Sequence, residues 1–158
     1  MIVRMLAVIA VLCTLTREAH AIADCTVSTT AVSFGVYDPF SGSPVISTGG
    51  VTVSCSLLGI VSLVVAYNIA LSTGASGNYA TRTMRAPPQG SMNYNLFTSS
   101  GYATIWGDGS SGTQMVADGY LLGLGTTVKT YPIYGRIAPG QIVAPGNYSD
   151  AIIVTVTY

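Results

Sequence analysis

Turn-forming residues divide the sequence after residue 21 into short runs, and this spacing limits the folds that the chain can adopt. Gly, Ser, Asn, Asp and Pro cluster between runs rich in Val, Ile, Thr and Tyr, the residue types that favour extended structure. No long apolar pattern with a helical period is present. Strands of this length and spacing are typical of a one-domain antiparallel β-sandwich. The predicted strands cover residues 25–36, 50–57, 61–72, 81–85, 92–98, 102–106, 126–137 and 147–156.

Residues 1–21 have the pattern of a secretory signal peptide. Arg4 supplies the positive charge, an apolar run follows, and Ala19-His20-Ala21 has the small-x-small form that signal peptidase cleaves. Cleavage there leaves residues 22–158 as a single mature domain, although cleavage after Ala23 fits the same rule. The apolar run is shorter than the roughly 20 residues that a spanning helix needs. We therefore expect export to the periplasm and no membrane insertion after cleavage.

Cys25 and Cys55 are the cysteines of the predicted mature domain, because Cys13 lies within the signal peptide. A single pair in an exported chain is most simply a disulfide. Closing a loop of about 30 residues would destabilise the unfolded chain by about 3–4 kcal/mol. A metal-binding or reactive thiol pair is the disfavoured alternative, because the spacing does not suit a metal site and the mature domain has no histidine.

The ionisable residues of the mature domain are few and scattered. His20 and Glu18 are the only histidine and glutamate of the sequence, and both lie in the signal peptide. Four dispersed cations do not form the basic stripe that nucleic acids require, so this partner class is disfavoured. A serine nucleophile has no histidine or Ser-x-x-Lys lysine to activate it. The sequence therefore predicts no enzyme and no cofactor.

Four charged residues have both a functional and a structural interpretation. Asp108 and Asp118 could in principle act as a glycosidase pair, but Asp108 lies between two glycines, where a tight turn favours a short polar residue. Residues 107–125 are accordingly assigned to loops. Arg82 and Arg85 could contact an anionic ligand, and the favoured interpretation places them at solvated positions on a strand edge.

Four aromatic residues lie close together in the sequence: Trp106, Tyr102, Tyr94 and Phe97. Such a group could stack on a carbohydrate as a lectin-type platform. Aromatic side chains at this density in a sandwich more often fill the core, and we favour that interpretation.

An apolar strand is predicted at the end of the sequence. Ile152, Val154, Val156 and Tyr158 alternate onto one face, and the residues on the other face also favour extended structure. Such a strand is either enclosed by earlier strands or leaves an edge that a second chain must pair. Both possibilities stay open, because eight predicted strands could close the sandwich unaided.

Several motifs follow one another along the mature domain, and together they resemble the spore coat protein U domain family. Its members are secreted bacterial β-sandwiches, some named for a spore coat and many similar to subunits of archaic chaperone–usher pili of the Csu type. The motifs are CTVS at 25–28, VSFGVYDP at 32–39, VTVSC at 51–55, YNLF at 94–97, IWGDG at 105–109, IYGRI at 133–137, YSD at 148–150 and VTVTY at 154–158.

The resemblance implies an incomplete immunoglobulin-like sandwich of the pilin type, in which a groove beside the last strand accepts a strand from another chain. It implies a periplasmic pilus chaperone, an usher and the donor strand of a neighbouring subunit as partners, with final location at the cell surface. The carboxylate at the chain end would meet basic side chains of the chaperone. The implied interface residues are Asp150, Ile152, Val154, Val156 and Tyr158.

The mature N-terminus departs from the pattern of a polymerising pilin. Only Ile22, Ala23 and Asp24 would precede Cys25, which leaves no alternating apolar segment to donate. We therefore expect a tip or minor subunit that accepts a strand without giving one. The alternative is a stand-alone structural protein of a spore or cyst coat.

Overall fold

The chain folds into two antiparallel sheets built from eight strands. The computed structural model describes residues 22–58, 62–88 and 90–158, so the predicted signal peptide lies outside the described residues. A single 3₁₀ turn, Gly74–Ser76, follows the third strand. The strands are β1 Ile22–Thr30, β2 Val45–Leu58, β3 Leu63–Leu71, β4 Arg82–Ala86, β5 Gly90–Phe97, β6 Val116–Leu122, β7 Thr126–Ile137 and β8 Val154–Thr157.

The sheets contain five strands in the order β1-β2-β7-β5-β4 and three in the order β6-β3-β8. Apolar side chains of both sheets meet in one core. In β3, buried and more exposed positions alternate, as expected for a strand with one face on the core. The predicted all-β sandwich is confirmed. Core side chains include Val51, Val53, Tyr67, Ile69, Leu71, Leu96 and Ile137.

The predicted disulfide is present and joins the first two strands. Cys25 of β1 lies directly opposite Cys55 of β2, and their Cα atoms are 4.0 Å apart. Cys55 is fully buried. The bridge therefore attaches the edge strand β1 to the interior of the five-stranded sheet.

The prediction of a strand over residues 25–36 is wrong in its second half, because β1 ends at Thr30. Beyond that point the side chains of Val32 and Phe34 pack over two glycines of the five-stranded sheet. A Cβ added at Gly49 would lie 2.8 Å from Cγ2 of Val32, and one added at Gly135 would lie 2.7 Å from Cζ of Phe34. The glycines thus allow this segment to cross the sheet closely.

Two further strand predictions are wrong. Residues 102–106 make only isolated bridges, including one between Phe97 and Ile105, and Tyr102 has a φ of 53° that interrupts extended structure. In contrast, residues 116–122 form β6 although the sequence assigns them to a loop. Tertiary pairing with seven consecutive residues of β3 outweighs the weak strand propensity of Asp118 and Gly119.

The last predicted strand, residues 147–156, is shorter than expected. Only Val154–Thr157 form β8, which pairs with Asn68, Ile69, Ala70 and Leu71 of β3. The residues before it cross from the five-stranded to the three-stranded sheet, so they cannot follow one ladder throughout. Ser149 still bridges to Arg85 of β4.

Candidate functional site

A groove of about 920 Å³ lies between two segments that flank the sandwich core. One wall is formed by residues 29–37 and the other by residues 143–154. We call the second, together with its continuation through β8 to Tyr158, the terminal wall. The two walls cover much of the floor, whose side chains are at most 8% exposed. The floor consists of Met84, Met92, Tyr94, Leu96, Ile133 and Ile137.

The backbone of the terminal wall points its free groups away from β3. Opposed residues of an antiparallel pair alternate between those that exchange hydrogen bonds and those that do not. Ser72 N donates to Ile153 O over 3.0 Å, so the alternation directs Thr155 and Thr157 toward β3. It directs the N–H and C=O groups of Val154 and Val156 toward the open edge.

Two contacts on the other side of β3 support this assignment. Leu71 N donates to Gly107 O over 3.2 Å, and Nε1 of Trp106 donates to Ile69 O over 2.9 Å. Leu71 and Ile69 are the partners of Val154 and Val156, and their backbone groups thus point away from β8. Within the described part of the chain, β8 pairs with no strand other than β3.

The side chains of the terminal wall alternate as the sequence predicts. Ile152, Val154 and Val156 are half-buried and pack against the core, whereas Ile153 between them is 68% exposed. Tyr158 is 62% exposed, and its ring meets that of Tyr67 edge-on with centroids 5.9 Å apart. The same wall therefore offers apolar side chains to the groove and unpaired backbone groups to the edge.

The opposite wall is held by side chains. Val32 and Phe34 pack on the sheet, and Oγ of Ser47 donates to Ser33 O over 2.6 Å. The hydroxyl of Tyr37 accepts from Gln141 N over 2.8 Å. No backbone–backbone hydrogen bond joins residues 32–37 to another residue that the structure describes. The sequence analysis missed this wall, although the alternation of Val32 and Phe34 after β1 is its signal.

Asp150 ties the terminal wall to the rest of the sandwich. Its Oδ2 accepts from the hydroxyl of Tyr94 over 2.7 Å, and its Oδ1 accepts from Ala75 N over 2.8 Å and from Ala151 N over 2.9 Å. Burial, followed by this hydrogen bond, raises the pKa of Tyr94 far above its ordinary value. Tyr94 therefore remains the hydrogen donor at every physiological pH.

Arg82 lies in the core, which contradicts the interpretation of a solvated edge position. It is 0% exposed, and Nε and Nη2 donate to Ser72 O over 3.0 and 2.8 Å. Nη2 also donates to Trp106 O, and Nη1 donates to Oδ1 of Asn95, both over 2.7 Å. Desolvation lowers the pKa of Arg82. The guanidinium joins three segments of the core and has no room for an external anion, whereas Arg85 is exposed.

The other candidate residues also have structural roles. Trp106 and Tyr94 are buried in the core, so the core interpretation is confirmed for these two and a Trp106 stacking platform is wrong. Phe97 and Tyr102 are half-buried. Asp108 accepts from Ser110 N over 2.9 Å, as expected of a turn residue. Asp118 accepts from the hydroxyl of Tyr131 over 2.6 Å, and this hydrogen bond holds the pKa of the Asp118 carboxyl below its ordinary value.

The described residues contain neither a cluster suited to a metal ion nor a helix suited to a membrane. Across residues 22–58, 62–88 and 90–158, no three His, Cys, Asp or Glu side chains are grouped so that they could hold a metal ion. No helix in the same part of the chain has the length and hydropathy to cross a membrane.

The two sheets, the disulfide and the groove beside an open strand edge define a pilin-like β-sandwich. The chain belongs to the Spore Coat Protein U domain family, whose model matches residues 11–155. It is 29% identical over 133 residues to "Protein U" of Myxococcus xanthus, and the match covers 80% of this chain and 71% of the relative.

The fold is also similar to that of a chain in a solved complex. This complex is the CsuC–CsuE chaperone–tip adhesion subunit pre-assembly complex from archaic chaperone–usher Csu pili of Acinetobacter baumannii. The TM-score is 0.56 at 23% identity, and the match covers 87% of the present chain. The present chain spans only 40% of the length of that chain, so the likeness concerns the fold of one part of it.

Proposed function

We propose that this protein is a structural subunit of a bacterial surface pilus of the chaperone–usher type, and that it accepts a β-strand from another chain. The observation that carries the proposal is the outer edge of β8, where the backbone groups of Val154 and Val156 pair with no other described residue and lie beside an apolar groove. Family membership and the fold similarity to a chain of the Csu complex support it.

Strand addition would use both kinds of group that the terminal wall offers. An incoming strand would exchange main-chain hydrogen bonds with Ile152, Val154 and Val156, and its apolar side chains would enter the groove between them and Phe34. The floor is already mostly covered, so most of the newly buried apolar area would come from the two walls. Residues 32–37, which make no backbone–backbone hydrogen bond with another described residue, would give the strand a second neighbour.

The proposed partners act in sequence. After export to the periplasm, a pilus chaperone would occupy the open edge, with basic side chains meeting the carboxylate of Tyr158. At the usher, the donor strand of a neighbouring subunit would replace the chaperone, and the pilus would carry the subunit to the cell surface. The interface would comprise Ile152, Val154, Val156 and Tyr158, with Asp150 at its start.

We place the subunit at the tip or in a minor position, because its N-terminal strand is already used. Every residue of β1, Ile22–Thr30, pairs with β2. If the signal peptide is removed before Ile22, no free segment remains to complement a neighbour. Immunogold labelling should then mark single sites at fibre ends, and N-terminal mass analysis should give Ile22 as the first residue. Label along the whole fibre would contradict this position.

Two adjacent substitutions test the acceptor edge. Val154→Asp places a charge in the groove, whereas Thr155→Asp places the same charge on the exposed outer face of the same strand. The chain with its signal peptide would be expressed in the periplasm with and without a cognate pilus chaperone. We expect the wild type and Thr155→Asp to purify as a complex with the chaperone and Val154→Asp to lose it. Soluble, protease-resistant wild-type monomer in both cases, with no complex, would reject strand acceptance.

The alternative function is that of a stand-alone structural protein of a spore or cyst coat. The description of the family and the similarity to Protein U of Myxococcus xanthus favour it. Fractionation of the native host distinguishes the two functions. The pilus proposal predicts that the protein is found in sheared surface fibres, and the coat alternative predicts that it is found in the spore or cyst envelope. The coat alternative also predicts that no chaperone or usher genes lie next to the gene of this protein.

A further inference from the structure

The carboxylate of Asp150 lies where the terminal wall, the 3₁₀ turn and β5 meet. It accepts hydrogen bonds from Tyr94 of β5, from Ala75 of the turn Gly74–Ser76 and from Ala151 of the wall itself, all within 2.9 Å. Three donors occupy the two oxygens, so the carboxylate is already engaged within its own chain. A side chain that binds a partner directly would instead have hydrogen-bonding capacity left for that partner.

Gly74 leaves space for the Asp150 carboxylate because it has no Cβ. Its φ is +65°, a conformation that favours glycine, and a Cβ added there would overlap Oδ2 of Asp150. The close approach therefore requires glycine for two separate reasons. The turn and the carboxylate form one unit, which we call the Asp150 clasp and which consists of Asp150, Gly74, Ala75 and Tyr94.

The clasp lies between two backbone attachments of the same segment. On one side, Ser149 and Arg85 exchange backbone hydrogen bonds of 3.1 and 2.8 Å. On the other side, Ile153 N donates to Oγ of Ser72 over 2.9 Å, and Ile153 O accepts from Ser72 N over 3.0 Å. The segment changes sheets between these attachments, so Asp150 sets the direction in which Ile152 and Val154 continue.

We propose that Asp150 is a positioning residue that holds the terminal wall with its edge open to an incoming strand, and that its carboxylate stays bound to its own chain when that strand arrives. This inference rests on the proposed function and revises the role of Asp150 within it. Ile152, Val154 and Val156 make the interface, and the clasp keeps their backbone groups aligned before any partner arrives. Because the terminal wall is already ordered before binding, it loses less conformational entropy when the strand binds.

The chain contains a matched control for the clasp. Asp118 also accepts a short hydrogen bond from a tyrosine hydroxyl, that of Tyr131, but it belongs to β6 and does not line the groove. Asp118→Ala thus removes a similar tyrosine–carboxylate hydrogen bond on β6, which β3 separates from β8. Gly74→Ala acts on the clasp from the opposite side: it retains the aspartate but displaces its carboxylate, because the added Cβ would overlap Oδ2 of Asp150. Asp150→Asn retains an acceptor for Ala75 and a polar group for Tyr94, so it should restore much of the alignment.

The first measurement is amide hydrogen exchange of the mature protein. Asp150→Ala and Gly74→Ala should accelerate exchange of the β8 amides that face β3 by about 10-fold or more, because each lost charge-assisted hydrogen bond weakens the local structure. Asp118→Ala should leave these amides unchanged, and Asp150→Asn should lie close to the wild type. Equal exchange in Asp150→Ala and Asp118→Ala would overturn the clasp. If Asp150→Ala does not fold, Gly74→Ala and Asp150→Asn decide the question by the same comparison.

The second measurement separates alignment from general stability. The probe is a synthetic peptide with valine at alternate positions, compared with a scrambled peptide of the same composition. Among variants of similar melting temperature, Asp150→Ala should weaken binding of the alternating peptide by about 10-fold, and Asp118→Ala by less than about 2-fold. Equal affinities for Asp150→Ala and the wild type would overturn the positioning role. If the wild type does not bind the alternating peptide, strand acceptance fails while the exchange measurement still judges the clasp.

Discussion

Arg82 is a buried cation whose hydrogen-bond acceptors are all neutral. Four donations reach Ser72 O, Trp106 O and Oδ1 of Asn95. The sequence could not distinguish this residue from Arg85, because both arginines lie in the same short predicted strand, residues 81–85. The difference arises from the strand's two faces, since Arg82 points into the core and Arg85 is exposed.

Arg82→Ala should therefore destabilise the protein strongly. The substitution removes the Arg82 donors from Ser72 O and Trp106 O, takes one of two donors from Oδ1 of Asn95 and creates a cavity. We therefore expect a loss of about 3 kcal/mol or more in the free energy of unfolding. Arg85→Ala is the matched control and should change it by less than about 0.5 kcal/mol. Urea denaturation with the disulfide intact measures both. Similar losses for the two variants would contradict the assigned roles.

Asp118 should make the protein sensitive to acid. The hydrogen bond from Tyr131 lowers the pKa of its carboxyl below the ordinary value of 3.8. Its contribution to stability is thus complete above the unfolded-state pKa and is lost as the pH falls through the lower, folded-state pKa. The unfolding free energy measured from pH 6 to pH 2 should fall less steeply in Asp118→Asn than in the wild type. Identical slopes would exclude this carboxyl as a source of acid sensitivity.

Among the elements, strands with a clear period of two were predicted well and those shaped by tertiary contacts were not. The long runs that became β2, β3, β5 and β7 alternate clearly and are bounded by turn residues. β6 contains Asp118 and Gly119, and only its pairing with β3 reveals it as a strand. Residues 31–37 alternate as a strand would, but side chains of this segment pack over Gly49 and Gly135 of the five-stranded sheet.

The disulfide between β1 and β2 should contribute substantially to stability. Replacing both Cys25 and Cys55 with alanine should lower the unfolding free energy by about 2–5 kcal/mol, because the unfolded chain gains conformational freedom. Denaturation of the double variant against the oxidised wild type measures the loss. A matched substitution of exposed Thr26 and Ser28 on the same strand should cost little. A double cysteine variant as stable as the wild type would show that the β1–β2 ladder alone suffices.

At the scale of the whole molecule, the sequence predicts the sandwich, the disulfide and the alternation of the terminal strand. It does not predict the site's second wall or the Asp150 clasp, because both depend on contacts between residues 56 to 76 positions apart or on glycines beneath crossing side chains. The two walls and the floor of the acceptor groove come from separate parts of the sequence, and no single motif encodes the groove. The open edge of β8 connects them to the proposed function.

Residue-resolved amide exchange of the isolated mature protein, followed by NMR, tests the open edge most directly. The amides of Thr155 and Thr157 face β3 and should be protected, whereas those of Val154 and Val156 face the open edge and should exchange rapidly. Addition of an accepted strand should then protect Val154 and Val156 selectively. Protection of all four amides in the monomer without a partner would contradict the account, because the edge would already be paired by the chain itself.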